Sequence, residues 1–126
     1  MAGATDPAVM DGYRPLLRGR RHMAVAGHYL AAQAALQILE AGGNAVDAGV
    51  AGGLVLSVVH SEYVNFAGVA PIMIYSAESG RVETISGLGT WPGALTPDLF
   101  QREHGGEIPE GILRTVVPAA PCAWIS

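Results

Sequence analysis

HYLAAQAALQILEAGGNAVDAGVAGGLVLSVVH, residues 28–60, is the stretch whose reading decides the fold. Ala31, Ala34, Ala35, Ile38 and Leu39 fall at offsets 0, 3, 4, 7 and 8, which puts their side chains on one face of a helix. Gly42 and Gly43 follow directly, and a glycine just past the last periodic residue enters the left-handed conformation that ends a helix without steric penalty. Asn44 then starts a second helix. Its side-chain oxygen is placed to accept a free N–H of the new first turn, and Asp47 sets negative charge at the positive end of the helix dipole. From Ala45 to Val59 the sequence is apolar all round apart from Asp47 and Ser57, the pattern of a helix buried on most sides. Its small residues, Ala45, Ala48, Gly49, Ala51, Gly52 and Gly53, suit close approach of another backbone, at the expense of helix propensity at each glycine. The apolar run between Asp47 and His60 is shorter than the roughly 18–20 residues that cross a bilayer, so a buried helix is expected and a membrane span is not.

Outward from this pair the chain is less regular. Residues 1–18 mix Gly, Pro, Asp and Arg without periodicity and read as an arm; residues 19–126 read as a partial domain. Met23 to Ala26 is a short apolar run that predicts a buried strand feeding the first helix. His60 to Pro71 is an expected loop. Ile72 to Ser76 and Arg81 to Ser86, separated by a polar turn ending at Gly80, predict a β-hairpin. Residues 86–97 are loop, Thr96 and Pro97 introduce a short helix over Asp98 to Glu103, and Ile112 to Val117 predict a strand.

Composition narrows the function classes. The chain has 126 residues, half of them hydrophobic, and a net charge of −4. That is enough for one domain and speaks against a nucleic-acid partner, which usually demands a basic stripe. Arg14, Arg18, Arg20 and Arg21 form a local basic cluster that reads as solvated surface. The amino terminus lacks a positive start followed by an apolar core, so no secretory signal is expected and the cytoplasm is the default location. Cys122 stands alone, which excludes an internal disulfide, and it reads as a small buried apolar residue. His22, His28, His60 and His104 are scattered, with His60 and Glu62 the nearest pair; no metal and no cofactor is expected. His60 suits the negative end of its helix.

The order of these elements, His28 with LAAQAALQILEAGGNAVDA and the apolar run to His60, resembles the opening of the large subunit of gamma-glutamyltransferases. With a looser correspondence of the rest, the resemblance covers about Gly19 to the end; it implies a further helix from Pro118, a pattern that Ser126 interrupts as in a truncated chain. It implies an α+β fold: the amino-terminal portion of an αββα four-layer N-terminal nucleophile hydrolase sandwich, the helix pair followed by a hairpin of the central sheets. It also implies an amide hydrolase or acyltransferase whose nucleophile, a threonine freed by self-cleavage, lies far beyond this segment. The polypeptide by itself is then inert, and its partners are the remainder of the large subunit, the small subunit and a small amide or gamma-glutamyl-like substrate.

Two departures bear on that substrate. In the resembled family an asparagine and a glycine run lie near it; here Asn65 stands in the aligned place, followed by Phe66-Ala67-Gly68-Val69-Ala70, which implies a reshaped or lost pocket. Family members that take gamma-glutamyl compounds carry, after the second hairpin strand, an arginine that grips the substrate α-carboxylate through its planar fork. Leu88 occupies that position. Leucine cannot neutralise a carboxylate, so an altered substrate preference is expected. A different class of function also fits the residues: a non-catalytic interaction module of the same fold, associating through its glycine-rich second helix.

Overall fold

The computed structural model describes residues 16–126. Most of the expected arm, with Arg14, lies outside them. Helix α1 (Tyr29–Glu40) and helix α2 (Ala45–Val59) are joined by a turn of four residues. Gly42 takes φ +93°, its N–H donates to the Leu39 carbonyl at 3.1 Å, and the Gly43 N–H donates to the Ile38 carbonyl at 2.9 Å. This pair of bonds is the Schellman closure that a left-handed glycine permits. Asn44 caps α2 as expected, its Oδ1 accepting the Asp47 N–H at 2.9 Å. The other cap was not foreseen: His28 Nδ1 accepts the Leu30 N–H at the start of α1.

The two helices meet through their smallest side chains. Ala31 and Ala35 of α1 and Ala48 and Gly52 of α2 are buried, and the space where a Gly52 Cβ would sit lies 3.5 Å from the Ala31 carbonyl oxygen. Alanine and glycine at the contact let the backbones approach closely, as the composition of α2 predicts.

The burial expected of α2 is not found. One face meets α1, whereas Val46, Leu54 and Val58 are exposed, Val58 at 79%. An all-apolar helix needs cover on every side, and the described residues supply it on part of the circumference. The buried apolar set consists of five alanines and Phe100, with no large side chain fully enclosed. A core this small leaves contiguous apolar surface in water. Expressed alone, the chain is therefore expected to self-associate in size-exclusion chromatography; a monodisperse monomer with cooperative melting would contradict this.

Strands β1 (Ile72–Ser76) and β2 (Arg81–Ile85) pair antiparallel from Ile72 opposite Ile85 to Ser76 opposite Arg81, the expected hairpin shortened by Ser86. Gly80 closes the turn at φ +65°. Helix α3 (Pro97–His104) starts at Thr96 with proline in its first turn and ends at left-handed Gly105. Its Phe100 is buried beside Trp91, ring centroids 5.3 Å apart. Helix α4 (Ala120–Ile125) lays Trp124 over α2, where a Cβ on Gly53 would stand 3.3–3.4 Å from the indole.

Two expected strands are absent among the described residues, where the hairpin is the sheet. Met23 to Ala26 runs without regular structure, with Met23 and Val25 exposed, because no neighbouring strand offers it a ladder. Ile112–Arg114 instead forms a 3-10 turn. The Arg114 guanidinium donates to the Ile108 carbonyl and Thr115 Oγ1 donates to the Ile112 carbonyl, local bonds that compete with a strand.

Candidate functional site

Both sequence-predicted site residues lie on a knot of three loop segments, 65–70, 86–91 and 115–120, held together by backbone hydrogen bonds. The Ala70 N–H donates to the Gly87 carbonyl at 2.9 Å, and the Val117 N–H donates to the Thr90 carbonyl at 2.8 Å. The Gly68 carbonyl accepts from both Ala119 and Ala120 at 3.1 Å, which ties the Asn65–Gly68 turn to the start of α4. Packing adds to this, since Phe66 meets Trp124 edge to face at 5.8 Å.

Leu88 sits in the middle of the knot, 58% exposed. The glycines on either side of it are the positions least able to accept a side chain. A Cβ on Gly87 would lie 1.9 Å from the Ala70 carbonyl oxygen, and one on Gly89 would lie 1.7 Å from that of Val117. No real Cβ survives such distances, so glycine is the residue that lets the three backbones pass. The sequence predicts plain loop over residues 86–97, because the carbonyls that close on Gly87 and Gly89 come from residues distant in sequence. Asn65 is exposed on the adjoining turn, its carbonyl accepting the Gly68 N–H, and its side chain makes no hydrogen bond among the described residues.

The knot carries no charge. Segments 65–70, 86–91 and 115–120 read NFAGVA, SGLGTW and TVVPAA, without one Asp, Glu, Lys or Arg. Val69 and Val117 are exposed on it alongside Phe66 and Leu88. Nothing on these loops would neutralise a carboxylate.

A cleft of about 640 Å³ opens beside the knot between α2, the hairpin and α4, lined by Val46, Val50, Ile72, Ile74, Ile85 and Trp124 among others. Neither Asn65 nor Leu88 lines it. Other candidates are dispersed. His60 is the C-cap of α2, its backbone N–H donating to the Leu56 carbonyl at 2.9 Å, and its Nε2 lies 3.4 Å from Glu62. His22 lies 2.8 Å from Glu40 at the end of α1, with Arg21 at 3.5 Å from the same carboxylate. Among the described residues no three of His, Cys, Asp and Glu converge as metal ligands would. Cys122 is exposed on α4, contrary to the buried position expected, because the neighbouring Ala123 is the residue that α4 turns inward.

Comparison with known proteins decides the kinship. The model of a family described as gamma-glutamyltranspeptidase matches residues 31–126. The chain belongs to the gamma-glutamyltranspeptidase family. It is 31% identical over 103 residues to the glutathione hydrolase proenzyme of Bacillus subtilis subsp. natto, covering 82% of this chain and 18% of that protein. To the acylase ACY 1 proenzyme of Pseudomonas sp. (strain V22) it is 42% identical over 83 residues, 66% of this chain and 15% of the relative. The fold follows the Helicobacter pylori gamma-glutamyltranspeptidase with a TM-score of 0.76 at 29% identity, over 87% of this chain and 32% of that one. The gamma-glutamyltranspeptidase of Pseudomonas nitroreducens complexed with L-DON gives 0.73 at 26%, over 86% and 33%. The chain thus spans less than a fifth of the length of these curated relatives. Mixed helix and antiparallel sheet is common ground with the gamma-glutamyltranspeptidase structures. No helix among the described residues is long and apolar enough to cross a membrane.

Proposed function

We propose that the chain is the amino-terminal part of a self-processing gamma-glutamyltranspeptidase-like amide hydrolase or acyltransferase with an altered acyl preference. In this reading the helix pair is part of an outer layer of a four-layer αββα sandwich and the hairpin belongs to its central sheets. Residues 19–126 are then one piece of a larger domain. The remainder of the large subunit and the small subunit supply the cover that α2 and the cleft lack.

The nucleophile would be a threonine, outside this segment, freed by chain cleavage. Its hydroxyl oxygen attacks the amide carbon while the new terminal amine takes the proton; the C–N bond breaks and the amine leaves protonated. Water, or a second amine, then takes the acyl group from the threonine oxygen. Residues 16–126 would contribute shape to the acyl pocket, at Asn65 and above all at Leu88.

The uncharged knot around Leu88 carries the substrate part of the proposal. A carboxylate placed there would lose water without gaining a cation, a penalty of several kcal/mol by order of magnitude. The proenzyme names of the relatives, and the presence of an acylase beside glutathione hydrolases among them, support the reaction class. The test is the intact mass of the purified full-length protein. Two chains, the smaller beginning with threonine, together with weak glutathione hydrolysis, are expected. A single uncleaved chain would favour the interaction module, and efficient glutathione hydrolysis would refute the altered preference.

A further inference from the structure

We infer that residues 22–27 are a strand held open for pairing, and that in the complete protein a β-strand from the polypeptide beyond residue 126 adds to its edge. The inference rests on the reading of this chain as part of a larger domain and is independent of the reaction proposed for that domain.

The segment is fixed at both ends. His22 Nε2 lies 2.8 Å from Glu40 at the carboxyl end of α1, while His28 caps the amino end of the same helix. From His28 to Glu40 the helix rises about 18 Å, and the six steps from His22 to His28 reach at most about 20–22 Å. The chain is therefore drawn out along α1. At the other end Gly27 lies beside the His60 ring, where an added Cβ would stand 3.4 Å from Nδ1. Between these ends burial alternates: His22, Ala24 and Ala26 are half-buried, whereas Met23, Val25 and Gly27 are exposed. A period of two residues is that of a strand with one face covered.

What such a strand lacks here is a ladder. Among the described residues, no backbone N–H or carbonyl of residues 22–27 takes part in a backbone hydrogen bond. Edge strands that stay in water are commonly blunted by charge or proline. Residues 23–27, Met-Ala-Val-Ala-Gly, have neither. An unblunted edge accepts an added strand through its main chain. The chain spans less than a fifth of the length of its relatives, so most of the fold, and with it the source of a strand, lies in polypeptide outside these residues.

The experiment uses the full-length protein. In hydrogen exchange followed by mass spectrometry, the amides of residues 23–27 should exchange at least about 100-fold more slowly than in a free peptide of the same sequence, as hydrogen-bonded backbone does. Exchange at the free-peptide rate overturns the inference. Neighbouring residues of a strand bond to opposite edges, so at least one of Ala24→Pro and Val25→Pro removes a ladder bond and should lower the melting temperature. Both variants melting with the parent overturns it as well.

Photo-cross-linking from p-benzoylphenylalanine in place of Met23 or Val25, followed by peptide mapping, identifies the neighbour. The expected adduct joins the probe to a residue beyond 126 of the same polypeptide, split or unsplit. An adduct of doubled mass marks a second copy, and one to residues 1–15 marks the arm; either overturns the inference and leaves the hydrolase reading standing. Absence of chain splitting and of amide hydrolysis, by contrast, removes that reading and leaves the pairing intact. Should a variant fail to fold or give no adduct, exchange on the unmodified protein decides alone.

Discussion

On the amide-hydrolase reading proposed above, Leu88→Arg in the full-length protein is expected to raise kcat/KM for gamma-glutamyl amides by about 10- to 100-fold. A hydrogen bond to a charged group contributes about 1.5–3 kcal/mol, and each 1.4 kcal/mol is about tenfold. Among the described residues Leu88 is more than half exposed, and none of them blocks a longer side chain there. It also has a fixed backbone, because the carbonyls of Ala70 and Val117 close on the glycines at either side. A guanidinium anchored there holds its two parallel donors toward a carboxylate with little freedom to lose. Leu88→Lys should gain less, as a point charge cannot match both carboxylate oxygens. The measurement is initial-rate kinetics on gamma-glutamyl-p-nitroanilide. If the arginine variant behaves like the parent, residue 88 does not face the acyl group, and the substrate argument falls with it.

The second large effect concerns the helix crossing. Gly52→Ala should raise stability by about 0.5–1 kcal/mol, the difference in helix propensity between the two residues. The space exists, because the added carbon would meet the Ala31 carbonyl oxygen at 3.5 Å and the Ala35 Cβ at 3.7 Å, ordinary contact distances. Gly52→Leu carries three further carbons into the same gap. Forcing α1 aside should destabilise by about 1–3 kcal/mol, the usual range for an overpacked core. Thermal melting of the two variants should therefore diverge in opposite directions from the parent. Equal melting temperatures would mean that α1 and α2 do not touch at Gly52.

How much of this was legible beforehand depended on whether the deciding contacts were local. Asn44 and Gly42 act within four residues of their partners, so the break between the helices could be read from letters alone. The hairpin was equally open, since Gly80 and the flanking β-branched residues determine it without distant help. Met23 to Ala26 has strand composition, yet a strand exists only through a neighbour, and composition does not reveal whether one is present. Ile112 to Val117 went wrong for the opposite reason: Arg114 and Thr115 bond back to nearby carbonyls and wind the chain before it can extend. At the candidate site, position 88 was noticed through kinship alone. The steric role of Gly87 and Gly89 needs the carbonyls of Ala70 and Val117, seventeen and twenty-eight residues away by the numbering, and no spacing rule announces those.

The four-residue link between α1 and α2 has a kinetic consequence. Contacts between elements so near in sequence form on the microsecond scale once the segment is free to move. Translation adds only about 5–20 residues each second. The helix pair therefore assembles on the nascent chain before later segments emerge, and the apolar side of α2, with Val46, Leu54 and Val58, stays uncovered for that interval. Slower elongation downstream of Val59 would lengthen the exposure, and with it the fraction of chains lost to aggregation before folding is complete.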